Sequence, residues 1–377
     1  MDDRTEPPAP DSLLGELAGA IPGELLDLLD RDPNAVVPPP AQVRALVSDL
    51  GLFGNQAVST PELAQARAEL LAFARRAIDA LREGRDPDVP PTPEEETGAA
   101  VLSACVVRPV LLVQDDECVE ARPPWESLER FRSRIQRSLP AVGRFALDGD
   151  LRAPLIGTGW VAAPGMVMTN RHVVKRFAAP VSPAEGETRW RMLDGMTAWV
   201  DFEEEEVGAQ GYRGDRVFDV PAGAEILVHP EADLALVPIA GASRGPEPRL
   251  APVPLVLAAG GEPMVEGREV YAVGYPADDP LNPDPLSKNV LFQAIYRVKR
   301  LQPGKVMQVM EEGGLKVLHD CSTLGGNSGS CLVDLATNQV VGLHYAGYHR
   351  RTNLAVALWD LVGDPLLHAA GVRFYGE

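Results

Sequence analysis

The stretch GTGWVAAPGMVMTNRHVV (residues 157–174) predicts two β-strands that are joined by an Ala-Pro-Gly turn and followed by a short helical turn. Apolar residues fill both runs and Pro and Gly separate them, which is the pattern of a β-hairpin. The stretch ends close after His172, so the predicted sheet would hold this imidazole in a fixed place. Taken alone, such a histidine has either a structural or a catalytic explanation.

The stretch HPEADLALVPI (229–239) predicts an alternating strand that begins at Asp233. A carboxylate at the edge of a buried strand can orient an imidazole and stabilise its protonated form. Aspartate is also a frequent turn residue, and that is the alternative explanation of Asp233.

The stretch GGNSGS (325–330) predicts a tight loop that presents Ser328 between glycines. A serine nucleophile needs an exposed hydroxyl, and the backbone N–H groups of Gly326 and Ser328 could form an oxyanion hole beside it. A plain surface turn is the alternative for this loop as well. Together, the chain order His172, Asp233, Ser328 favours a serine endopeptidase, because a known class of triads has this order.

These stretches, together with AVGYP (272–276) and TLGGNSGSCLVDLATNQVVGLHYAG (323–347), resemble the trypsin-like peptidase family, and its bacterial intracellular members in particular. The resemblance covers residues 141–360. It implies a mainly β fold of two antiparallel six-stranded β-barrels, chymotrypsin-like, with the active site in the cleft between them. It also implies that His172 is the general base and acid, that Asp233 fixes its tautomer and that Ser328 attacks the carbonyl.

The resemblance also indicates a P1 pocket, the pocket for the side chain that precedes the cleaved bond. Ser322 stands where an aspartate would select Arg or Lys, so that preference is not supported. Thr323 and His344 match residues of similar glutamyl endopeptidases, and a hydroxyl with an imidazolium could bind a Glu or Asp side chain. The alternative is that His344 is a packed core residue and the pocket takes a small or apolar side chain. The full predicted pocket is Ser322, Thr323, His344, Tyr345 and Gly347.

Asn327 stands where trypsin has an aspartate that pairs with a newly cut N-terminal amine. A neutral side chain cannot form that ion pair, so we predict that the intact chain needs no such cleavage to become active.

The N-terminal part differs from the rest of the chain in the spacing of its apolar residues. Residues 1–84 show helical spacing of apolar residues, and we predict a helical regulatory or recruitment domain there. The clearest helix covers residues 61–83, with Thr60 as its N-cap and Gly84 after its end. The Pro- and acid-rich range 85–98 reads as a linker, and 99–377 as the peptidase domain.

The arrangement resembles the effector-associated or death-fold-like modules that precede peptidases in bacterial conflict systems. It therefore implies a recruited or regulated effector protease in antiviral defence. A structural brace on the barrel is the alternative role of these helices.

Composition excludes several partners. The net charge of −19 over 377 residues argues against nucleic-acid binding, which needs clustered basic residues. No apolar run reaches the ~20 residues of a membrane span, and MDDRTEPPAP (1–10) lacks the features of a signal peptide. We therefore expect a cytoplasmic protein that acts on protein or peptide substrates without a membrane or a cofactor.

The four cysteines (Cys105, Cys118, Cys321 and Cys331) fit reduced cytosolic thiols, although a disulfide between Cys321 and Cys331 is an open alternative.

Other charged groups are expected to be structural, and we expect no metal site. His319 and Asp320 lack further ligands at metal spacing, and a barrel strand explains them. The acidic run Glu203–Glu206 could bind calcium, but a solvated loop is the expected explanation. A solvated strand face is expected for the basic residues Arg297, Lys299, Arg300 and Lys305. The competing class for the whole chain is a non-enzymatic binding module that kept the barrel and lost turnover.

Overall fold

A computed structural model gives the architecture of the chain. It describes residues 12, 14, 15, 17, 60–83, 89–103, 108–118, 125–148, 155–182, 186–206, 211–278, 292, 295–310, 316–348 and 352–377. The helices predicted within residues 1–59 lie almost entirely outside the described residues, as does Cys105. Within the described part, no helix is both long enough and apolar enough to cross a bilayer.

Two helices form the described N-terminal part: α1 (Thr60–Arg82) and α2 (Pro93–Leu102). A capping box starts α2, since Thr92 Oγ1 accepts from the amide of Glu95 and the Glu95 carboxylate accepts from the amide of Thr92. Gly98 packs directly on the backbone of α1, where a Cβ would collide with the carbonyl of Phe73. Helix α2 begins inside the range predicted as a linker and ends inside the predicted peptidase domain.

The first β domain is one antiparallel nine-stranded sheet with the order β6-β7-β10-β11-β5-β4-β3-β8-β9. A short helix, α4 (Arg171–Val174), lies between its strands β5 and β6. The predicted hairpin is formed by β4 and β5, and the predicted strand after Asp233 is β11. The strands are β3 (Val142–Asp148), β4 (Leu155–Ala163), β5 (Met166–Thr169), β6 (Ala178–Pro180), β7 (Arg189–Met192), β8 (Thr197–Asp201), β9 (Val217–Asp219), β10 (Ile226–Val228) and β11 (Ala235–Pro238).

The second β domain is a closed six-stranded barrel. Its order is β12-β15-β16-β17-β14-β13, and the pairing of β12 with β13 closes it. The strands are β12 (Glu269–Gly274), β13 (Arg300–Met310), β14 (Lys316–His319), β15 (Cys331–Asp334), β16 (Val340–Tyr348) and β17 (Thr352–Ala357). The mainly β fold with a helical N-terminal part is confirmed, and the first domain has more strands in its sheet than the expected six.

A hairpin from before the first sheet extends the second barrel. Its strands are β1 (Leu111–Gln114) and β2 (Glu117–Cys118), and β1 pairs with β13 through Leu111 opposite Leu301. In chain order, the hairpin β1–β2 therefore joins the second domain, β3–β11 then form the first domain, and β12–β17 complete the second. The short helix α5 (Pro365–Ala369) follows the last strand of the barrel.

Helix α3 (Glu126–Ser138) packs into the core between the two domains. Its residues Leu128 and Ile135 are buried in one apolar cluster with Trp160 of the first sheet and with Tyr271 and Leu343 of the barrel. Because one cluster collects side chains from both domains, α3 and the domains stabilise each other.

Two of the four basic residues expected on a solvated strand face are buried, Lys299 and Arg300, which corrects the expectation for these two; Arg297 and Lys305 are exposed as expected. Lys299 and Arg300 have no exposed surface. Lys299 Nζ donates to the carbonyl of Phe202 at 3.1 Å and to the carboxylate of Glu205 at 2.9 Å. The guanidinium of Arg300 donates to the carbonyl of Phe292 at 2.8 Å. Lys299 thus has the polar partners that burial of a charge requires, whereas Nε of Arg300 is buried without a hydrogen-bond partner among the described residues.

The acidic run Glu203–Glu206 is not a solvated loop either. Glu203 accepts from the backbone of Arg213 at 2.5 Å, and Glu204 pairs with Arg144 at 2.8 Å. Glu205 holds Lys299, as described above. Among the described residues, no group of three or more His, Cys, Asp and Glu side chains has the arrangement of a metal site.

The position of α3 leads to a stability prediction. Ile135→Ala should lower the free energy of unfolding by about 2–5 kcal/mol, because it leaves a cavity in the shared core. Urea unfolding measures the change, and Ser133→Ala on the exposed side of the same helix is the control. Equal stability of the two variants would contradict the packing described here.

Candidate active site

His172 and Asp233 form a close pair. His172 lies in α4, directly after strand β5, and Asp233 lies directly before β11, which pairs with β5. His172 Nδ1 and Asp233 Oδ2 are 2.6 Å apart, and the backbone N–H of His172 donates to Asp233 Oδ1 at 3.0 Å. Burial favours a higher pKa for the Asp233 carboxyl, but the hydrogen bonds and charge of His172 outweigh it, so that this pKa is lowered. The carboxylate is therefore ionised and holds the ring through Nδ1.

Ser328 lies in a loop whose glycines are required by their surroundings. Gly326 and Gly329 have φ angles of +91° and +90°, which side chains other than glycine rarely adopt. A Cβ on Gly326 would collide with the carbonyl of Tyr275, and one on Gly329 would collide with the carbonyl of Thr158. The glycines of GGNSGS are thus explained by a tight loop that packs closely against Tyr275 of its own domain and Thr158 of the first domain.

Thr158 of strand β4 joins this loop to the first sheet. Its backbone N–H donates to the carbonyl of Ser328 at 2.8 Å, and its hydroxyl donates to the carbonyl of Gly326 at 2.8 Å. The same hydroxyl accepts from the backbone N–H of Tyr275 at 3.1 Å. Thr169 donates to the carbonyl of Thr158 at 2.7 Å and fixes it from behind. The loop with Ser328 therefore has a defined position relative to the first sheet.

The structure brings the turn with His172 and the loop with Ser328 together across Gly157. A Cβ on Gly157 would lie 2.8 Å from the side chain of Val173 and 3.0 Å from the carbonyl oxygen of Ser328. His172 is also close enough to His344 for its charge to contribute to the lowered pKa of that residue. His344 in turn accepts from the N–H of Gly329 at 2.8 Å through its carbonyl.

The backbone N–H groups of Gly326 and Ser328 are available to a ligand. In the part of the chain that the structure describes, neither amide donates to a protein acceptor. Unpaired N–H groups beside a serine are what an oxyanion hole requires.

The residues of the predicted pocket make the following contacts. The hydroxyl of Ser322 donates to the carbonyl of Arg108 at 3.0 Å, so the segment ahead of β1 packs against Ser322. The hydroxyl of Thr323 donates to Asn353 Oδ1 at 2.6 Å. Asn353 also donates to the carbonyl of Cys321 at 2.6 Å. Gly347 lies against this amide, since a Cβ there would collide with Asn353 Oδ1.

Asn353 contacts the predicted pocket residues Thr323 and Gly347, and the sequence did not indicate it. Its neighbours TNLAVA (352–357) show only an ordinary strand, and the pairing of β16 with β17 places it opposite Gly347. Tyr345 is half-buried on the same strand as Gly347.

His344 is a buried neutral histidine. It is almost fully buried, and its Nδ1 lies 3.3 Å from Nε2 of the fully buried His319. Burial, with a contribution from His172, lowers the pKa of His344 to about 3. Burial and then His344 lower the pKa of His319 as well. His344 is therefore neutral at neutral pH. The predicted preference for an acidic P1 side chain assumed an imidazolium at this position.

Asn327 is fully buried and its surroundings are neutral. Its Oδ1 accepts from Gln302 at 3.2 Å and from the hydroxyl of Ser330 at 3.3 Å. Neutral donors therefore bind the side chain at the position where an ion pair would require an aspartate.

The cysteines near the site are unpaired. Cys118, Cys321 and Cys331 are free and buried, so the disulfide between Cys321 and Cys331 is not formed. Burial raises the pKa of the Cys331 thiol to about 12 and that of Cys321 above its ordinary value. The thiols are therefore protonated and unreactive.

Two β domains with a His–Asp pair on one and a glycine-flanked serine on the other define the class of chymotrypsin-like serine peptidases. Residues 157–343 match the family described as "Trypsin-like peptidase domain", so this segment is a trypsin-like peptidase domain and the protein is a trypsin-like serine endopeptidase.

Several proteins are similar to the chain. A Lysobacter enzymogenes protein named "Probable serine protease" is 26% identical over 355 residues, which is 85% of this chain and 88% of that protein. A glutamyl endopeptidase of Staphylococcus epidermidis is 25% identical over 207 residues, which is 55% of this chain and 59% of that protein. Among solved structures, the active form of the M. tuberculosis protease Rv3671c has a TM-score of 0.40 and 20% identity, covering 64% of this chain and 85% of that one.

The contacts of Thr158 lead to a prediction for the nucleophile loop. Thr158→Val keeps the backbone bond to Ser328 but leaves the carbonyl of Gly326 and the amide of Tyr275 without their partner. Unfolding free energy should fall by about 1–3 kcal/mol, and kcat should fall with it because the loop with Ser328 loosens. The exposed Thr197→Val is the matched control in strand β8. Stability and kcat equal to the control would contradict the anchoring role of the hydroxyl.

Proposed function

We propose that the chain cleaves peptide bonds in protein substrates with His172, Asp233 and Ser328 as its catalytic triad. The observation that carries the proposal is the 2.6 Å contact of His172 Nδ1 with an ionised Asp233, on a turn that faces the Ser328 loop across Gly157. A carboxylate on Nδ1 leaves Nε2 free to accept a proton from a serine hydroxyl.

The proposed reaction has two halves. His172 Nε2 takes the proton of Ser328 as Oγ attacks the scissile carbonyl, and the N–H groups of Gly326 and Ser328 bind the oxyanion. His172 then gives its proton to the leaving amine, and an acyl-enzyme remains on Ser328. Water attacks the ester with His172 again as base, which restores the serine. Asp233 stabilises the imidazolium in both halves and stays ionised.

We propose that the P1 pocket prefers an uncharged side chain. Its polar groups are already paired, Ser322 with Arg108 and Thr323 with Asn353, and His344 is neutral. A P1 carboxylate would therefore enter without a cation to receive it, and burying an unpaired charge is costly.

A preference for glutamate is the second candidate, supported by the similarity to a glutamyl endopeptidase and by the pair His319–His344. It requires that a bound carboxylate brings a proton onto His344. Cleavage after Glu should then weaken as pH rises, because the protonated imidazole is lost.

We also propose that the helical N-terminal region recruits protein substrates, as an effector protease of a bacterial defence system would require. Support comes from the helix pair α1–α2 ahead of the barrel, in which Gly98 of α2 packs on the backbone of α1. The free thiols at Cys118, Cys321 and Cys331 support the cytoplasm as its compartment.

The triad and the pocket are tested with one peptide library that varies at P1, digested by the intact chain. We expect cleavage after uncharged residues and a loss of about 10⁶-fold in kcat for Ser328→Ala. Ser133→Ala on helix α3 is the control. Cleavage after Glu would replace the uncharged pocket with the glutamyl preference. A silent wild-type protein that stays silent after limited trimming would favour the binding-module alternative.

The recruitment role is tested by separating α1 from α2 in the full chain. Gly98→Val introduces a Cβ where the carbonyl of Phe73 lies, so the helices must move apart. We expect unchanged kcat/KM on short peptides, as for the control Thr97→Ala, because recruitment does not involve the triad. A clear rise in peptide cleavage would show instead that the helices inhibit the enzyme.

A further inference from the structure

His229 is a buried histidine that takes no part in the proposed reaction, yet both nitrogens of its ring have hydrogen-bond partners. Its Nδ1 accepts from the backbone N–H of Ala232 at 2.8 Å and from that of Glu231 at 3.2 Å. Its Nε2 lies 3.2 Å from Asp364 Oδ2. Only 6% of its surface is exposed.

These contacts define the tautomer of His229. Two amides donate to Nδ1, so Nδ1 carries no proton and the ring proton is on Nε2, from which it is donated to Asp364. The other oxygen of Asp364 accepts from the amides of Leu366 and Leu367 at 2.9 and 3.0 Å and caps helix α5. The imidazole thus joins the loop that ends at Asp233 to the C-terminal helix.

The loop 229–233 is held on its other side by the turn that carries His172. The guanidinium of Arg171 donates to the carbonyls of Pro230 at 2.8 Å and Glu231 at 3.2 Å, and more weakly to that of His229. Asn170 donates to the carbonyl of Asp233 at 2.9 Å. The carbonyls of the loop are therefore satisfied from α4, whereas its N–H groups at 231 and 232 depend on His229.

We propose that His229 is a positioning residue for Asp233, and that Asp364 holds it in the required tautomer. Loss of the Nδ1 acceptor leaves two loop amides without their partner one and two residues before Asp233. The carboxylate then loses its fixed place beside His172 Nδ1. The inference rests on the proposed role of Asp233. It predicts a change in kcat rather than KM, because the described pocket residues belong to the second barrel and the segment before it.

Two substitutions separate the two nitrogens of the ring. In His229→Asn, the amide oxygen can occupy the place of Nδ1 and accept from the loop amides, but the side chain is too short for Asp364. In His229→Gln, the amide nitrogen can reach Asp364, but no acceptor remains at Nδ1. His368→Gln is the control, because the side chain of that exposed histidine on α5 contacts the carbonyl of Val362, Glu377 at the edge of hydrogen-bond reach and the ring of Phe374, rather than the loop 229–233.

We expect His229→Gln to lower kcat by about 10²-fold at unchanged KM, the usual effect of an ångström-scale misplacement. We expect His229→Asn to recover most of this loss. The second readout is the rate at which a fluorophosphonate labels Ser328, which reports on the activated nucleophile without a peptide in the pocket. Proton NMR gives a third, since the low-field signal of the His172–Asp233 hydrogen bond should broaden or shift in His229→Gln and not in His368→Gln.

Wild-type kcat, labelling rate and NMR signal in folded His229→Gln would overturn the proposal. If that variant does not fold, Asp364→Asn replaces it. Asparagine remains a good helix cap, but its side chain has one acceptor oxygen instead of two. It can therefore accept either from Nε2 of His229 or from the amides of α5, but not from both. Asp364→Ser, which caps α5 and cannot reach His229, should then show the same loss, and wild-type behaviour of both would reject the inference. A wild-type protein that is not labelled at Ser328 would instead refute the proposed triad.

Discussion

The contact of Thr158 with the nucleophile loop is the constraint on which the active site depends. One residue of strand β4 binds the carbonyls of Ser328 and Gly326 and the amide of Tyr275. The histidine and the aspartate belong to the first domain and the serine belongs to the second, so no strand pairing joins the serine to the other two. The hydrogen bonds of Thr158 at the boundary between the two domains hold the serine loop in place instead. The glycines at 326 and 329 allow the backbones to approach closely enough for it.

The same boundary between domains is stabilised by buried charge and apolar packing. Lys299 lies between Glu205 of the first domain and the turn of the β1–β2 hairpin, while α3 fills a core that both domains share. A buried lysine needs partners on all sides, so this arrangement specifies how the hairpin and the domains fit. Residues far ahead of the barrels, from Arg108 onward, consequently pack against the second domain, where the carbonyl of Arg108 accepts from Ser322 and β1 pairs with β13.

The active site combines one charged element with neutral surroundings. Asp233 is ionised beside His172, whereas Asn327, Gln302, His344 and His319 form uncharged contacts around the serine loop. Neutral groups cost less to bury than charges and need no ion pair, and in this cluster Asn327 Nδ2, Gln302 Oε1 and His319 Nδ1 are buried without hydrogen-bond partners among the described residues. Activity of the intact chain without cleavage stays a prediction.

The sequence by itself determined the mainly β fold, the hairpin before His172, the strand after Asp233 and the glycine loop at Ser328. These features are local, because alternation, turn residues and glycines act over a few neighbouring positions. Only the tertiary structure decided the rest. The sequence could not show that Lys299 and Arg300 are buried, that Asn353 binds Thr323, or that His229 reaches Asp364. Each of these depends on a partner distant in sequence, which packing brings close and no local pattern records.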